Sequence, residues 1–231
     1  LRESEPLTSD TIWDLTKLPE RLVVIGGGAI GCELGQAFSR LGSKVTLVEA
    51  APRILSTLGK NVSELVMSRF EAEGITVMPR TTVTGVEGSA TNGDLVVIAD
   101  HETRIAADQV LVAVGRRPNT ANLNLNAVGV ELTERGHVKV DDRLETTNDH
   151  IYAGGDVIGK MPFTHTAGMH GGLVVSNALF GLRRKADHER IPYAIFCDPE
   201  VASVGRIRPN GDEELTVSHF DYEHLDRQVT T

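Results

Sequence analysis

Apolar positions along the chain follow two rhythms that alternate with each other. "RLVVI", residues 21 to 25, is a short continuous apolar run shortly after a proline, the pattern of a parallel strand buried on both faces. Beyond a cluster of glycines, Ile30, Leu34, Phe38 and Leu41 recur at helical spacing and Gly42 supplies a stop. A helix is therefore predicted from about Ala29 to Leu41. "KVTLVEA", residues 44 to 50, returns to the pattern of a buried strand. Strand, glycine turn, helix and strand thus follow one another within roughly 30 residues, the length of one βαβ unit.

The alternation continues. "NVSELVMSRFEAEGI", residues 61 to 75, predicts a second amphipathic helix with Asn61 as N-cap and Glu64 placed for a capping box. Val62, Leu65, Val66 and Phe70 form its predicted apolar face, and Gly74 its C-terminal stop. "TTVTGVEGSATNGDLVVIADHE", residues 81 to 102, changes to strand character, with Asn92-Gly93 as a two-residue hairpin turn. A small antiparallel meander is expected there, and then a buried strand in "QVLVAVG", residues 109 to 115. The fold class is α/β: a Rossmann-like, doubly wound nucleotide-binding domain carrying a β-meander.

In that setting the glycines have separate tasks. Gly26-x-Gly28-x-x-Gly31 fits GxGxxG: the first allows the tight turn, the second lets a pyrophosphate approach bare backbone, and the third lets helix and strand pack closely. Ala29 and Ile30 stand at the helix N-terminus, where unpaired N–H groups and the positive end of the helix dipole favour phosphate. Glu49 lies at the end of the second strand, about 20 residues beyond the glycines, where an acid grips the adenosine ribose. A carboxylate there opposes a 2′-phosphate, so NAD is the expected cofactor and NADP the lesser one; Arg53 nearby could partly neutralise such a phosphate. Glu33 reads on its own as a dipole-favoured acid in the first turn of the helix.

Composition narrows the partners. With 231 residues, 40% hydrophobic and 24% charged, the chain is an ordinary globular sequence with room for one or two cores. A net charge of −9 argues against nucleic acid, and no apolar run approaches the roughly 20 residues of a membrane span. "LRESEPLTSDTIWDLTKLPE", the opening stretch, is too acidic and broken for a signal peptide, so a cytoplasmic location is the default expectation. Cys32 and Cys197 lie far apart with no metal-type spacing and are expected to be small buried hydrophobes. His165 and His170 do not share a helical face, and no metal is expected. The chain opens at Leu1 and stops in mid-pattern at "RQVTT", so a piece of a longer protein is expected.

"LPERLVVIGGGAIGCELG", "VLVAVGRRPNT" and "TTNDHIYAGGDV", in that order, resemble the flavin-dependent pyridine nucleotide–disulfide oxidoreductases. That family includes dihydrolipoamide dehydrogenase, glutathione reductase and mercuric reductase, and the resemblance runs from about Pro6 to Val204. It implies a lead-in over 1–16, an NAD(P)H-binding domain over 17–116, the C-terminal part of an FAD-binding domain over 117–190 and the start of a dimerisation domain over 191–231. Gly115-Arg116-Arg117-Pro118 would mark the return to the FAD domain, and Asp156 in "YAGGD" would hydrogen-bond the ribityl chain of FAD. The backbone of Pro162, Phe163, Thr164 and His165 would lie against the flavin ring, and Glu33 would reach the nicotinamide end.

The family's redox pair CxxxxC, its first GxGxxG and its terminal histidine and glutamate have no counterpart here, so no catalytic residue is expected in this chain. The resemblance implies a homodimer when full-length, with a small-molecule or disulfide substrate whose identity cannot be read. "FTHTAG" sides with the mercuric reductase and dihydrolipoamide dehydrogenase branches. Two alternatives stay open: a catalytically silent nucleotide-binding module, and an NADH oxidase or ferredoxin reductase type of flavoenzyme, which "DPEVASVG" disfavours.

Overall fold

The structure, a computed structural model, describes residues 6–90, 93–205, 218 and 220. Strand β1 (Arg21–Ile25), helix α1 (Ala29–Leu41) and strand β2 (Lys44–Val48) open the fold where the periodicity predicts them. Helix α2 (Lys60–Ala72) and strand β3 (Thr76–Met78) follow. Strands β4 (Val83–Glu87), β5 (Leu95–Ala99) and β6 (Thr103–Ala107) form the antiparallel meander, and β7 (Gln109–Val112) returns to the first sheet. Asn92 of the predicted hairpin turn lies outside the described residues.

The main sheet is parallel, in the order β3-β2-β1-β7. Strand β1 is central, which is why its apolar run does not alternate: each face meets a different core. Leu22 and Val24 point into one core with Cys32, Val66 and Phe70 from the helices, while Val23 and Ile25 point into the other with Leu95 and Val97 of the meander. Winding runs outward from β1 through β2 to β3 and then reverses to β7 on the other side, so a crevice opens at the carboxyl end of β1. Leu7 extends the β7 edge, donating its N–H to the Val110 carbonyl at 2.8 Å and accepting from Val112 at 2.8 Å. At the opposite end of β1, Asp108 accepts the Arg21 backbone N–H at 2.8 Å and also pairs with its guanidinium, which holds that carboxyl below its usual range.

Two details of α2 differ from the sequence expectation. The helix starts at Lys60 with Gly59 as N-cap, and Asn61 is already inside its first turn. Ser63 makes the first helical bond, from its backbone N–H to Gly59 O at 3.2 Å, and is anchored outside the helix by its hydroxyl, which donates to Ile54 O at 2.7 Å. That anchor also turns the helix. Ser63, Val66 and Phe70 face inward, and Leu65 is 60% exposed rather than on the apolar face. Glu64 sits 3.4 Å from Lys60 instead of closing a capping box. Gly74 does end the helix, in the left-handed conformation.

Beyond β7 the chain becomes irregular around a third small core of Val130, Val138, Leu144, Ile158 and Leu173. Helix α3 (Thr164–Phe180) closes that unit, and strands β8 (Tyr193–Ile195) and β9 (Val201–Ser203) form a hairpin. Among the described residues no helix is long and apolar enough to cross a membrane. The C-terminal part of α3 leaves Leu179 and Phe180 exposed.

Candidate functional site

The glycine turn fills the crevice at the end of β1. Gly26 has φ +108°, and a Cβ there would stand 2.5 Å from the carbonyl oxygen of Ala113, the residue just past β7. A Cβ on Gly31 would overlap the Gly26 carbonyl oxygen. Gly28, the N-cap of α1, is different: a Cβ there would meet no described protein atom within 4 Å. Two of the three fingerprint glycines are therefore required by the protein's own packing, whereas the third leaves space at the helix N-terminus. Ala29 and Ile30 are the first residues of α1, whose leading N–H groups have no intrahelical acceptor.

Glu49 stands beside the turn. One carboxylate oxygen accepts the Gly27 N–H at 2.6 Å and the other accepts the Ala51 N–H at 2.6 Å, so the side chain is fixed in orientation with acceptor capacity left on both atoms. Arg53, which the sequence left as a possible phosphate partner, is engaged with its own loop: its Nη2 donates to the carbonyls of Ser56 at 3.3 Å and Leu58 at 3.2 Å.

Glu33 is the fifth residue of α1 rather than a first-turn acid, and its Oε1 accepts the backbone N–H of Phe196 at 2.9 Å. One helical turn on, Gln36 accepts from Asp198 N at 2.7 Å and donates to Asp198 O at 2.9 Å. Arg40 and Arg69 pair with both Asp198 and Glu73 and hold these two carboxyls below their usual range. Helix α1 thus carries the turn at its N-terminus and the 196–198 segment along its flank. Sequence reasoning missed this second role. Its one visible signal is a polar stripe at helical spacing, Glu33, Gln36 and Arg40, on a helix otherwise read by its apolar face.

Cys32 and Cys197 are both buried in the same core. Burial pushes the Cys32 thiol far above its ordinary range and the Cys197 thiol upward as well, so both stay protonated and unreactive.

A second group of predicted residues converges beyond β7. Gly155 opens a short 3-10 turn, Gly155–Ile158, that presents Asp156. Arg116, which follows Gly115, donates from Nη1 to Asp156 Oδ2 at 2.6 Å and to the Pro162 carbonyl at 3.2 Å. Phe163 stacks between His165, 5.4 Å centroid to centroid, and Tyr193, 5.3 Å, while Thr164 starts α3. His165 Nε2 lies 2.7 Å from the Pro192 carbonyl, which commits the ring to the segment leading into β8. His170 faces the other way, to Gly155 N at 2.9 Å, and the two histidines do not meet.

The pyridine nucleotide-disulphide oxidoreductase family matches residues 2–171. The chain belongs to that family. Among its relatives, a mercuric reductase from Bacillus cereus is 39% identical over 93% of the chain and 34% of its own length. A dihydrolipoyl dehydrogenase from Geobacillus stearothermophilus is 38% identical over 90% and 44%. Solved structures agree. LpdA from Mycobacterium tuberculosis superposes with a TM-score of 0.82 at 27% identity over 90% of this chain and 46% of that one. The HOCl-induced flavoprotein disulfide reductase RclA from Escherichia coli gives 0.76 at 32% identity over 86% and 45%. The chain spans less than half the length of these relatives.

Proposed function

We propose that the chain is the nicotinamide-handling portion of a flavoenzyme that passes hydride from NADH to FAD and on to a disulfide-type or metal-ion acceptor. The observation carrying this reading is the open Gly28 between two glycines that packing makes obligatory, with Glu49 fixed alongside. The backbone of Gly26, Gly28, Ala29, Ile30 and Gly31 would receive the pyrophosphate, and Glu49 the adenosine ribose. Glu33 would stand at the nicotinamide end. Gly115, Asp156 and the 162–165 backbone would form one wall of the flavin site, Asp156 accepting from the ribityl chain on the oxygen that Arg116 leaves free. Bound FAD supplies the hydride acceptor, and this chain's residues bind and orient the two rings. The complete protein is read as a cytoplasmic homodimer acting on a small-molecule or disulfide substrate.

NADH is preferred over NADPH in this reading. A 2′-phosphate near Glu49 would meet a like charge, a penalty of about 4 kcal/mol at 4 Å and an effective dielectric of 20, and Arg53, which could oppose that penalty, has one guanidinium nitrogen committed to its own loop. Titrating both nucleotides in one buffer tests the assignment. Tighter NADH supports it; equal affinities or tighter NADPH overturn it.

A further inference from the structure

Beneath the Asp156 turn lies a pair of histidines that the proposed chemistry does not use. His170 is fully buried. Its Nδ1 accepts the Gly155 N–H at 2.9 Å, and its Nε2 is 2.9 Å from Nε2 of His188. It also packs directly under Gly154, where a Cβ would stand 2.8 Å from the His170 Cβ. The hydrogen-bond directions are then fixed in sequence. Because Gly155 can only donate, Nδ1 of His170 carries a lone pair and the ring's single proton sits on Nε2. That proton is donated to His188, whose own proton is left on Nδ1. A proton added to His170 would set two N–H groups against each other at Gly155, and one added to His188 would do the same between the rings.

We propose that His170, oriented by His188, is a positioning residue for the Gly154–Asp156 turn, and that protonation of the pair releases this turn. The functional half of the proposal rests on the reading of Asp156 as the flavin-facing acid. The charged groups around the pair act in known directions. Burial and the Lys160 ammonium both favour the neutral rings, His188 adds to this at His170, and Asp187 alone opposes it, at His188. Asp156 itself is paired with Arg116, so once Gly155 loses its acceptor the acid remains tethered through an ion pair half exposed to solvent.

The test uses the 231-residue chain labelled with ¹⁵N at histidine and glycine. Above neutral pH, His170 should show an unprotonated Nδ1; as pH falls below about 6.5, both rings and the Gly155 amide should titrate together. A proton on Nδ1 of His170, or a Gly155 amide unmoved while the rings titrate, overturns the proposal. His170→Asn places an amide oxygen near Nδ1 and cannot titrate, so it should keep the turn and abolish the pH response; an unchanged response in this variant sinks the role of His170. His188→Gln should shift the Gly155 midpoint, and an unshifted one removes His188 from the scheme. In the complete flavin-loaded protein, FAD release should quicken as pH falls, by up to about tenfold per pH unit on the alkaline side of the midpoint and levelling off below it, and the Asn variant should abolish this. Failure of the flavin arm alone, with the amide arm intact, overturns the reading of Asp156 and leaves the positioning by His170 standing.

Discussion

Arg116 Nη1 lies 2.6 Å from Asp156 Oδ2 and also reaches the Pro162 carbonyl, so one guanidinium joins three segments of the proposed flavin wall. Both partners are about half exposed, which limits the pair's worth to about 1 kcal/mol or less. Arg116→Ala should therefore change the urea midpoint little. The local effect should be larger: amide exchange at residues 155–165 should accelerate while exchange in β1 stays unchanged. Uniform acceleration, or none, would show that Arg116 does not join these segments.

The fingerprint glycines should separate into structural and ligand-facing positions. Gly31→Ala drives a methyl group into the Gly26 carbonyl and should cost about 1–3 kcal/mol of stability. Gly28→Ala meets open space and loses only the better N-cap residue, so it should cost about 1 kcal/mol or less, while weakening NADH binding about tenfold or more. Urea unfolding and NADH titration on the same samples check both halves. Equal stability losses at the two positions would contradict the geometry.

Glu49 has two duties, and its variants should separate them. Glu49→Ala leaves the Gly27 and Ala51 N–H groups without their acceptor, at a cost of about 1–3 kcal/mol. Glu49→Gln removes the negative charge and keeps one amide oxygen for the turn, so it should retain more stability than Ala yet narrow the gap between NADH and NADPH affinity. An unchanged affinity ratio in Glu49→Gln would remove the acid from nucleotide selection.

For the 231-residue chain alone, no NADH-dependent reduction of lipoamide, glutathione disulfide or Hg(II) is expected. Its two cysteines are buried and protonated, and neither can serve as a redox pair for external substrates. The same chain should purify colourless, with FAD affinity no better than about micromolar, because two wall contacts must offset roughly 4–15 kcal/mol of association entropy. A yellow preparation that keeps stoichiometric FAD through gel filtration would overturn this.

Stability should fall in two acid steps. His170 and His188 are depressed in the folded state, so their contribution is complete above the ordinary imidazole value of 6.5 and is lost as pH falls below it, when the unfolded chain takes up protons that the folded one resists. Glu73, Asp108 and Asp198 are also depressed, held by Arg40 and Arg21, and their contribution is lost later, as pH falls through the carboxylate range. Urea midpoints from pH 8 to pH 3 measure both steps. His170→Asn should shrink the first step to the part that His188 carries and leave the second.

What was legible in the sequence was what is local. β1, α1, the glycine turn and Glu49 all lie within one βαβ unit, and their spacing is set by strand and helix geometry. The start of α2 departs from the sequence expectation because the Ser63 hydroxyl is anchored to Ile54 O outside the helix, and that contact outweighs the capping preference of Asn61. The contacts that complete the site were not legible at all. Glu33 meets Phe196 across a separation of 163 residues, and His170 meets His188 only because α3 and the segment before β8 fold back on each other. No periodicity encodes such partners.

Helix α1 is gripped along its flank by residues 196–198 through Glu33, Gln36 and Arg40. A protein engineer who exchanged the nucleotide-binding unit for that of another enzyme would therefore be transplanting half of a lock. The graft would have to bring residues matched to the host's own 196–198 segment, or both parts would have to be moved together. Swapping cofactor preference by replacing the whole cassette is thus a harder route in this scaffold than editing the few side chains around Glu49.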